Sequence, residues 1–179
     1  MRRFPMRKIT ALLSIAVLLT GCSLTEPIPV KGKVVGCEDV RTVPASDEAL
    51  ECLGSADAIS VDSIRGPALI NIWGTWCAPC RQELPHFAHL LNKYRDKVDV
   101  IGIAVEEKNQ ATVKKFVRTN GITWPILYDA KGVTEAKFGP GVPVTWFINK
   151  SGKVTHKKYG PFRSEEELEL AVIKYLGVK

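Results

Sequence analysis

The chain lacks several features that would have decided its class. No internal repeat or low-complexity block is present, which excludes repeat architectures. The apolar run at residues 9–19 is shorter than the roughly 20 residues that cross a bilayer. Only three histidines occur (His86, His89 and His156), and their spacing does not complete the four-ligand set of a structural zinc site. We therefore predict no metal.

Acidic residues are absent from the first 21 positions, which hold four basic residues. Most of the formal net charge of +6 therefore lies at the N-terminus, and the remaining chain carries only +2. This small charge predicts no nucleic-acid partner. A length of 179 residues, with 45% hydrophobic and 25% charged residues, suits one globular domain of ordinary size.

The basic start and the apolar run are followed by Leu19-Thr20-Gly21-Cys22, which resembles the lipobox of bacterial lipoproteins. The resemblance implies that residues 1–21 are a signal peptide and that Cys22 becomes the lipidated first residue of the mature chain. The protein would then be held at the extracytoplasmic face of a bacterial membrane. An ordinary cleaved signal with a chance cysteine, or an uncleaved anchor, is the alternative.

Two segments separate the lipidation site from the region with regular apolar patterns. Residues 22–33 are polar and contain proline, and we predict that they form a lipid-anchored tether. Residues 34–55 show no strong period and contain Cys37 and Cys52. We predict an irregular N-terminal extension closed by a Cys37–Cys52 disulfide, since an oxidising compartment permits structural bridges. Two free thiols, or a second redox pair, remain the alternatives.

Apolar periodicity predicts alternating strands and helices from residue 59 onward. The predicted strands lie at 59–64, 68–73, 98–105, 124–128, 144–148 and 153–158, and the predicted helices at 80–94, 111–119, 133–138 and 164–176. Strand-helix-strand units favour parallel pairing, and the final hairpin favours antiparallel pairing. The sequence therefore predicts an α/β fold with a mixed central sheet flanked by helices on both faces.

Cys77 and Cys80 lie two residues apart, between a predicted buried strand and a helix start. Free backbone N–H groups and the helix dipole stabilise a thiolate at this position. We predict that Cys77 is the exposed nucleophile of low pKa, and that Cys80, one turn later, is the buried resolving thiol. Pro79 suits the first turn, where its missing N–H costs nothing.

At residues 71–85 the sequence reads Asn-Ile-Trp-Gly-Thr-Trp-Cys-Ala-Pro-Cys-Arg-Gln-Glu-Leu-Pro. This run resembles the TlpA/ResA/DsbE group of extracytoplasmic thioredoxin-like proteins. The resemblance implies a thioredoxin fold over residues 56–179, with an extra strand-helix insert around residues 99–120. It also implies a thiol-disulfide oxidoreductase that needs no cofactor beyond its own Cys77–Cys80 disulfide.

The same resemblance implies roles for individual residues. Pro143 would be cis and pack beside the disulfide, while Val142 and Pro143 offer backbone to a bound substrate and Trp76 flanks it. Glu83 would tune the cysteine pKa values and accept the proton of Cys80. Asn71 occupies the position where thioredoxins carry a buried aspartate, which puts the usual proton route in doubt. The plainer alternatives are a trans proline at a strand start and a solvated helix glutamate.

Several functions are compatible with these residues. ResA-like proteins reduce apocytochrome c cysteines with electrons from a membrane donor, whereas other DsbE-like proteins are proposed to oxidise secreted proteins. A redoxin-type peroxidase and a copper-delivery protein are further alternatives. We expect a monomer that acts on protein thiols and disulfides and exchanges electrons with a membrane partner. The remaining tryptophans and the Glu106-Glu107 pair are interpreted as packing and solvated charge.

Overall fold

A computed structural model describes residues 31–139 and 141–178 of the chain. The predicted signal peptide, Cys22 and most of the predicted tether lie outside these residues. Within them, no helix combines the length and apolar character needed to cross a membrane.

Strands and helices alternate along the described chain, and a one-turn 3₁₀ helix, Val61–Ser63, follows the second strand. The elements are β1 Ala49–Cys52, β2 Ala58–Ser60, β3 Ala68–Trp73, α1 Ala78–Tyr94, β4 Asp99–Val105, α2 Gln110–Thr119, β5 Ile126–Asp129, α3 Glu135–Phe138, β6 Val144–Ile148, β7 Val154–Tyr159 and α4 Glu165–Leu176.

The strands form one mixed sheet in the order β2-β1-β5-β4-β3-β6-β7. The central strands β3, β4 and β5 are parallel, whereas β6 runs antiparallel to β3. Every residue of β3 is buried, which explains why its sequence is a nearly continuous apolar run. The predicted α/β fold with a mixed sheet is confirmed.

Each face of the sheet carries its own apolar core. On one face, Leu69 and Trp73 of β3 belong to a cluster with buried side chains of α1, α2 and α4. On the other face, Ile70 and Ile72 belong to a cluster with α3 and the N-terminal extension. Because side chains alternate along a strand, Asn71 lies on the face that α1 covers. This placement brings Asn71 close to the helix that begins at the cysteine pair.

The N-terminal extension contains a strand, so the prediction that it is irregular was wrong. Strand β1 pairs antiparallel with both β2 and β5. Within the strand, Leu50 and Cys52 are buried while Ala49 and Glu51 are exposed. Four residues are too few for this alternation to stand out in the sequence, and the pairing with β5 is non-local. The extension therefore shares a sheet and a core with the following domain.

Two further contacts attach the extension to the domain. A disulfide joins Cys37 and Cys52, whose side chains are both buried. The backbone N–H groups of Gly32 and Lys33 donate to the carbonyl oxygens of Arg118 and Ile122 at 3.0 and 2.9 Å. The last residues of the predicted tether therefore lie against the segment that links α2 to β5.

Replacing both Cys37 and Cys52 with alanine should lower the free energy of unfolding by about 3 kcal/mol, because the bridge closes a loop of 15 residues. Guanidinium-induced unfolding of the two proteins, with Cys77 and Cys80 kept oxidised in both, measures the difference. An unchanged free energy of unfolding would show that the bridge does not constrain the unfolded chain.

Candidate active site

The Cys77–Cys80 disulfide lies where the chain leaves β3 and enters α1. Cys77 is the N-cap residue of α1, and its Sγ atom accepts a hydrogen bond from the Cys80 backbone N–H at 3.2 Å. The sulfur atom thus acts as the N-cap acceptor, a position at which serine and aspartate oxygens are preferred. A thiolate formed on Cys77 by reduction meets the same N–H group and the positive end of the helix dipole.

Both cysteines are nearly covered, so the prediction that Cys77 is exposed was wrong. Cys77 is 3% exposed and Cys80 is 1% exposed. The cause is packing: both sulfur-bearing side chains belong to the core cluster that also holds Trp73 and Leu84. Trp76, directly before Cys77, is by contrast 51% exposed. The disulfide is therefore largely covered, and an exposed indole ring directly precedes it.

Glu83, one helical turn after Cys80, is completely buried. Its Oε1 accepts a hydrogen bond from Asn71 Nδ2 at 2.9 Å, and its Oε2 accepts one from the Phe162 backbone N–H at 3.0 Å. Burial raises the pKa of the carboxyl to about 7, although these hydrogen bonds and the charge of Lys158 oppose the rise. A solvated helix glutamate is therefore excluded: the carboxyl is buried, hydrogen-bonded and one helical turn from Cys80.

Asn71 connects three elements at one buried point. Its Nδ2 donates to Glu83 on α1 and, at 3.2 Å, to the hydroxyl oxygen of Thr145 on β6. Its Oδ1 has no partner among the residues that the structure describes. Asn71 thus lies at the position that the resemblance matches to a buried aspartate of thioredoxins, whereas the titratable side chain at this point is Glu83 on α1.

The Val142–Pro143 peptide bond is cis and directly precedes β6. Pro143 is buried and Val142 is half-buried. The Pro143 carbonyl oxygen accepts a hydrogen bond from the Gly160 N–H at 2.9 Å, so it is occupied by the protein itself. A second cis bond, Gly66–Pro67, had no counterpart in the sequence prediction.

A small cavity of about 60 Å³ adjoins Trp76 and Val142. Its apolar wall includes Ile72, Val105 and Phe138. The structure therefore brings together two of the residues predicted to contact substrate, around a space that accepts part of a side chain.

Glu107 supports the loop before Cys77, a role that the sequence analysis missed. Both carboxylate oxygens accept hydrogen bonds from Thr75, one from its backbone N–H and one from its hydroxyl at 2.8 Å. Arg81 holds the same residue from the other side, donating to the Thr75 carbonyl oxygen at 3.0 Å. Glu107 follows β4, the parallel neighbour of β3, and that adjacency was the available signal.

Metal ligands do not cluster in the described part of the chain: no group of three or more His, Cys, Asp or Glu side chains is suitably placed there. The Cys77–Cys80 pair and the Cys37–Cys52 pair are both disulfide-bonded. Cys22 lies outside the described residues.

Replacing Glu107 with alanine should lower kcat/KM for reduction of a protein disulfide roughly tenfold, because the Thr75 loop that aims Cys77 loses two hydrogen bonds. The reduction potential of the pair should stay unchanged, since the Glu107 carboxylate hydrogen-bonds to Thr75 rather than to a cysteine. Lys108→Ala, at the exposed neighbouring position, is the matched control and should retain full activity. Equal rates for the two variants would contradict the positioning role.

The raised pKa of Glu83 predicts an unusual pH dependence of stability. Between pH 4.5 and about 7 the folded carboxyl keeps a proton that the unfolded chain has released. The free energy of unfolding should therefore fall as pH rises through this window. Glu83→Gln removes this effect, so the variant should gain about 3 kcal/mol relative to wild type between about pH 4.5 and about pH 8. Parallel stability profiles of the two oxidised proteins in denaturant would contradict the assignment.

Comparison with known protein families agrees with this geometry. The AhpC/TSA family matches residues 43–157, and the prokaryotic membrane lipoprotein lipid attachment site matches residues 6–23. The thioredoxin-like protein YneN of Bacillus subtilis is 31% identical over 136 residues, which cover 75% of this chain and 79% of YneN. The thiol-disulfide oxidoreductase ResA of Bacillus anthracis is 34% identical over 114 residues, covering 62% of this chain and 65%, just under two thirds, of ResA.

Solved structures give the same result. StoA of Bacillus subtilis is 26% identical with a TM-score of 0.58, and the match covers 69% of this chain and 93% of StoA. A thioredoxin-family thiol:disulfide interchange protein of Chlorobium tepidum is 26% identical with a TM-score of 0.62, covering 78% and 99%. The chain therefore belongs to the AhpC/TSA family, and its relatives are thioredoxin-like thiol-disulfide oxidoreductases.

Proposed function

We propose that this protein is a lipid-anchored thiol-disulfide oxidoreductase that reduces disulfides of proteins outside the cytoplasm. The observation that carries the proposal is the buried Glu83 carboxyl, one helical turn from a disulfide at a helix start. This arrangement supplies a nucleophile, a resolving thiol and a proton acceptor within the first two turns of α1.

The reduced protein begins the reaction with a thiolate on Cys77. The thiolate attacks one sulfur of the substrate disulfide, so the other substrate sulfur leaves as a thiolate and a mixed disulfide forms. Cys80 then gives its proton to the Glu83 carboxylate and attacks the Cys77 sulfur. The second substrate sulfur departs as a thiolate. The substrate has gained two electrons, and the enzyme now carries the Cys77–Cys80 disulfide.

Glu83 is suited to the proton step because its pKa is about 7. A group of this pKa takes up and releases a proton near neutral pH with little driving force lost in either direction. Water has no direct access to the carboxyl, since Glu83 is 0% exposed. Proton transfer at Cys80 is therefore assigned to this side chain rather than to bulk solvent.

The direction of electron flow follows from two opposing charges. The positive end of α1, equivalent to about half an elementary charge, favours the Cys77 thiolate and thus the reduced protein. An ionised Glu83 carries a full negative charge in a buried site, where charge interactions are less screened than in water. In the proposed reductase the carboxylate outweighs the dipole and disfavours the thiolate. A destabilised reduced form, with its Cys77 thiolate, gives a more reducing couple.

The surface around the disulfide supports a protein substrate. The exposed Trp76 ring and the half-buried Val142, which precede Cys77 and Pro143 in the chain, border the same small cavity. An extended chain placed along Val142 would present its cysteine to Cys77 and an adjacent side chain to the cavity. Resemblance to ResA-like proteins supports apocytochrome c cysteines as the substrate and a membrane dithiol as the electron donor.

The match to a lipid attachment site at residues 6–23 supports anchoring through Cys22. We propose that lipid on this cysteine holds the domain at the extracytoplasmic face of a bacterial membrane. Full lipoprotein modification supplies more than one acyl chain, and stable anchoring requires more than one.

The reduction potential of the Cys77–Cys80 pair tests the proposal. A reductase predicts a value below about −220 mV, nearer to thioredoxin than to protein disulfide isomerase. Glu83→Gln should raise the potential by about 30 mV, a tenfold change in the equilibrium constant, because the opposing charge is gone. Glu166→Gln, which removes an exposed carboxylate at the start of α4, is the matched control and should leave the potential unchanged.

A potential near −120 mV, together with a pair found oxidised in the cell, would instead assign an oxidase that forms disulfides in secreted proteins. Rapid consumption of peroxide without exchange activity would assign a peroxidase. Either result would overturn the reductase.

A further inference from the structure

The side-chain amide of Asn71 uses only one of its two polar atoms. Nδ2 donates to both Glu83 Oε1 and Thr145 Oγ1. Oδ1 accepts nothing from the described residues, although Asn71 is only 1% exposed. A buried amide oxygen without a donor is unfavourable and calls for a physical explanation.

The partners of Asn71 explain how its oxygen can acquire donors. An ionised carboxyl can only accept hydrogen bonds, but a protonated one carries an O–H donor. The Thr145 hydroxyl can donate or accept, depending on how its hydrogen is rotated. When Glu83 holds a proton, both neighbours of the amide can therefore act as donors.

The amide can meet either situation without moving the backbone. Its oxygen and nitrogen have nearly the same size, and a half turn about the Cβ–Cγ bond exchanges their positions. With Glu83 ionised, Nδ2 donates to two acceptors. After the half turn, Oδ1 accepts from the Glu83 acid and from the Thr145 hydroxyl. At Glu83 Oε1 and Thr145 Oγ1, each protonation state of Glu83 thus has its own matching orientation of Asn71, and the second polar atom of the amide takes the other position.

The second carboxyl oxygen shows which atom receives the proton. Glu83 Oε2 accepts from the Phe162 backbone N–H, a donor that cannot become an acceptor. The proton is therefore held at Oε1, the atom that faces Asn71. The charged groups that act on Glu83 from other elements are Lys158 on β7 and Glu167 on α4, and these two pair with each other at 3.1 Å.

We propose that Asn71 is a positioning residue that turns its amide each time Glu83 gains or loses a proton, so that Glu83 stays in place beside the cysteine pair in both states. The proton moves from the Cys80 thiol to Glu83 Oε1, leaving a Cys80 thiolate, and no other bond changes at this step. The inference rests on the proposed function only for Cys80 as the source of that proton. The rotation of the Asn71 amide is expected in the disulfide form as well as in the reduced form.

Nuclear magnetic resonance of the full-length, isotope-labelled protein in detergent tests the turn in the oxidised state, where neither cysteine titrates. Across roughly pH 5 to 9, the Asn71 Nδ2 signals and the Glu83 carboxyl carbon should shift together, with one midpoint at about 7. In Glu83→Gln the new amide N–H donates as the acid does. The Asn71 signals should therefore stay at their low-pH positions at every pH.

Two further variants distinguish an Asn71 amide that rotates from one that always donates to Glu83. Asn71→Leu should raise the Glu83 midpoint by about one pH unit, because a hydrogen bond to a carboxylate is stronger than one to the neutral acid. Thr145→Val should change the Glu83 midpoint by less than about 0.3 pH unit, since the Thr145 hydroxyl hydrogen-bonds to the Asn71 amide in both orientations.

Asn71 signals that stay constant while Glu83 titrates would overturn the proposal. It would also fail if the Glu83→Gln spectrum matched wild type at high pH. The measurement uses the disulfide form and no substrate. A protein that lacks exchange activity but shows the shared titration would therefore contradict the proposed function alone.

Discussion

Burying the Glu83 carboxyl constrains the architecture around the cysteine pair. A carboxylate in an apolar core is tolerated only where hydrogen-bond donors are fixed around it. Here those donors come from β3, through Asn71, and from the turn before α4, through Phe162. Strand β6 contributes Thr145 to the same cluster. Strands β3 and β6 also adjoin the Cys77–Cys80 disulfide and the cis proline, so one frame fixes the carboxyl, the disulfide and Pro143.

The central fold could be predicted because its strongest signals are local. The apolar runs of β3 and β4 indicate strands buried on both faces, and α1 shows clear helical spacing. Strand β1 could not be predicted in this way. It has four residues, and its place in the sheet depends on pairing with β5, which lies more than 70 residues later in the chain. A segment of four residues carries no sequence pattern that indicates pairing with a strand so far along the chain.

The site residues differ in the same way, since some have a local sequence signal and others do not. Cys77, Cys80, Glu83 and Pro143 were identified from spacing and family resemblance, and the structure brings them to one end of the sheet. The Phe162 N–H could not be identified, because a backbone donor has no side-chain signal. Glu107 was interpreted as solvated charge because nothing local distinguishes it from Glu106; its contact with Thr75 exists only once β3 and β4 lie side by side. Burial of Cys77 likewise follows from packing.

The attachment of Gly32 and Lys33 to the domain affects how the protein can work at a membrane. Their hydrogen bonds reach the segment before β5, at the amino end of the parallel strands, whereas Cys77 follows the carboxyl end of β3. With lipid on Cys22, nine residues to Lys31 allow a reach of at most about 30 Å. The disulfide then lies at the end of the domain opposite the place where the tether joins it. Any partner of the disulfide would therefore meet the domain at the end opposite Gly32 and Lys33.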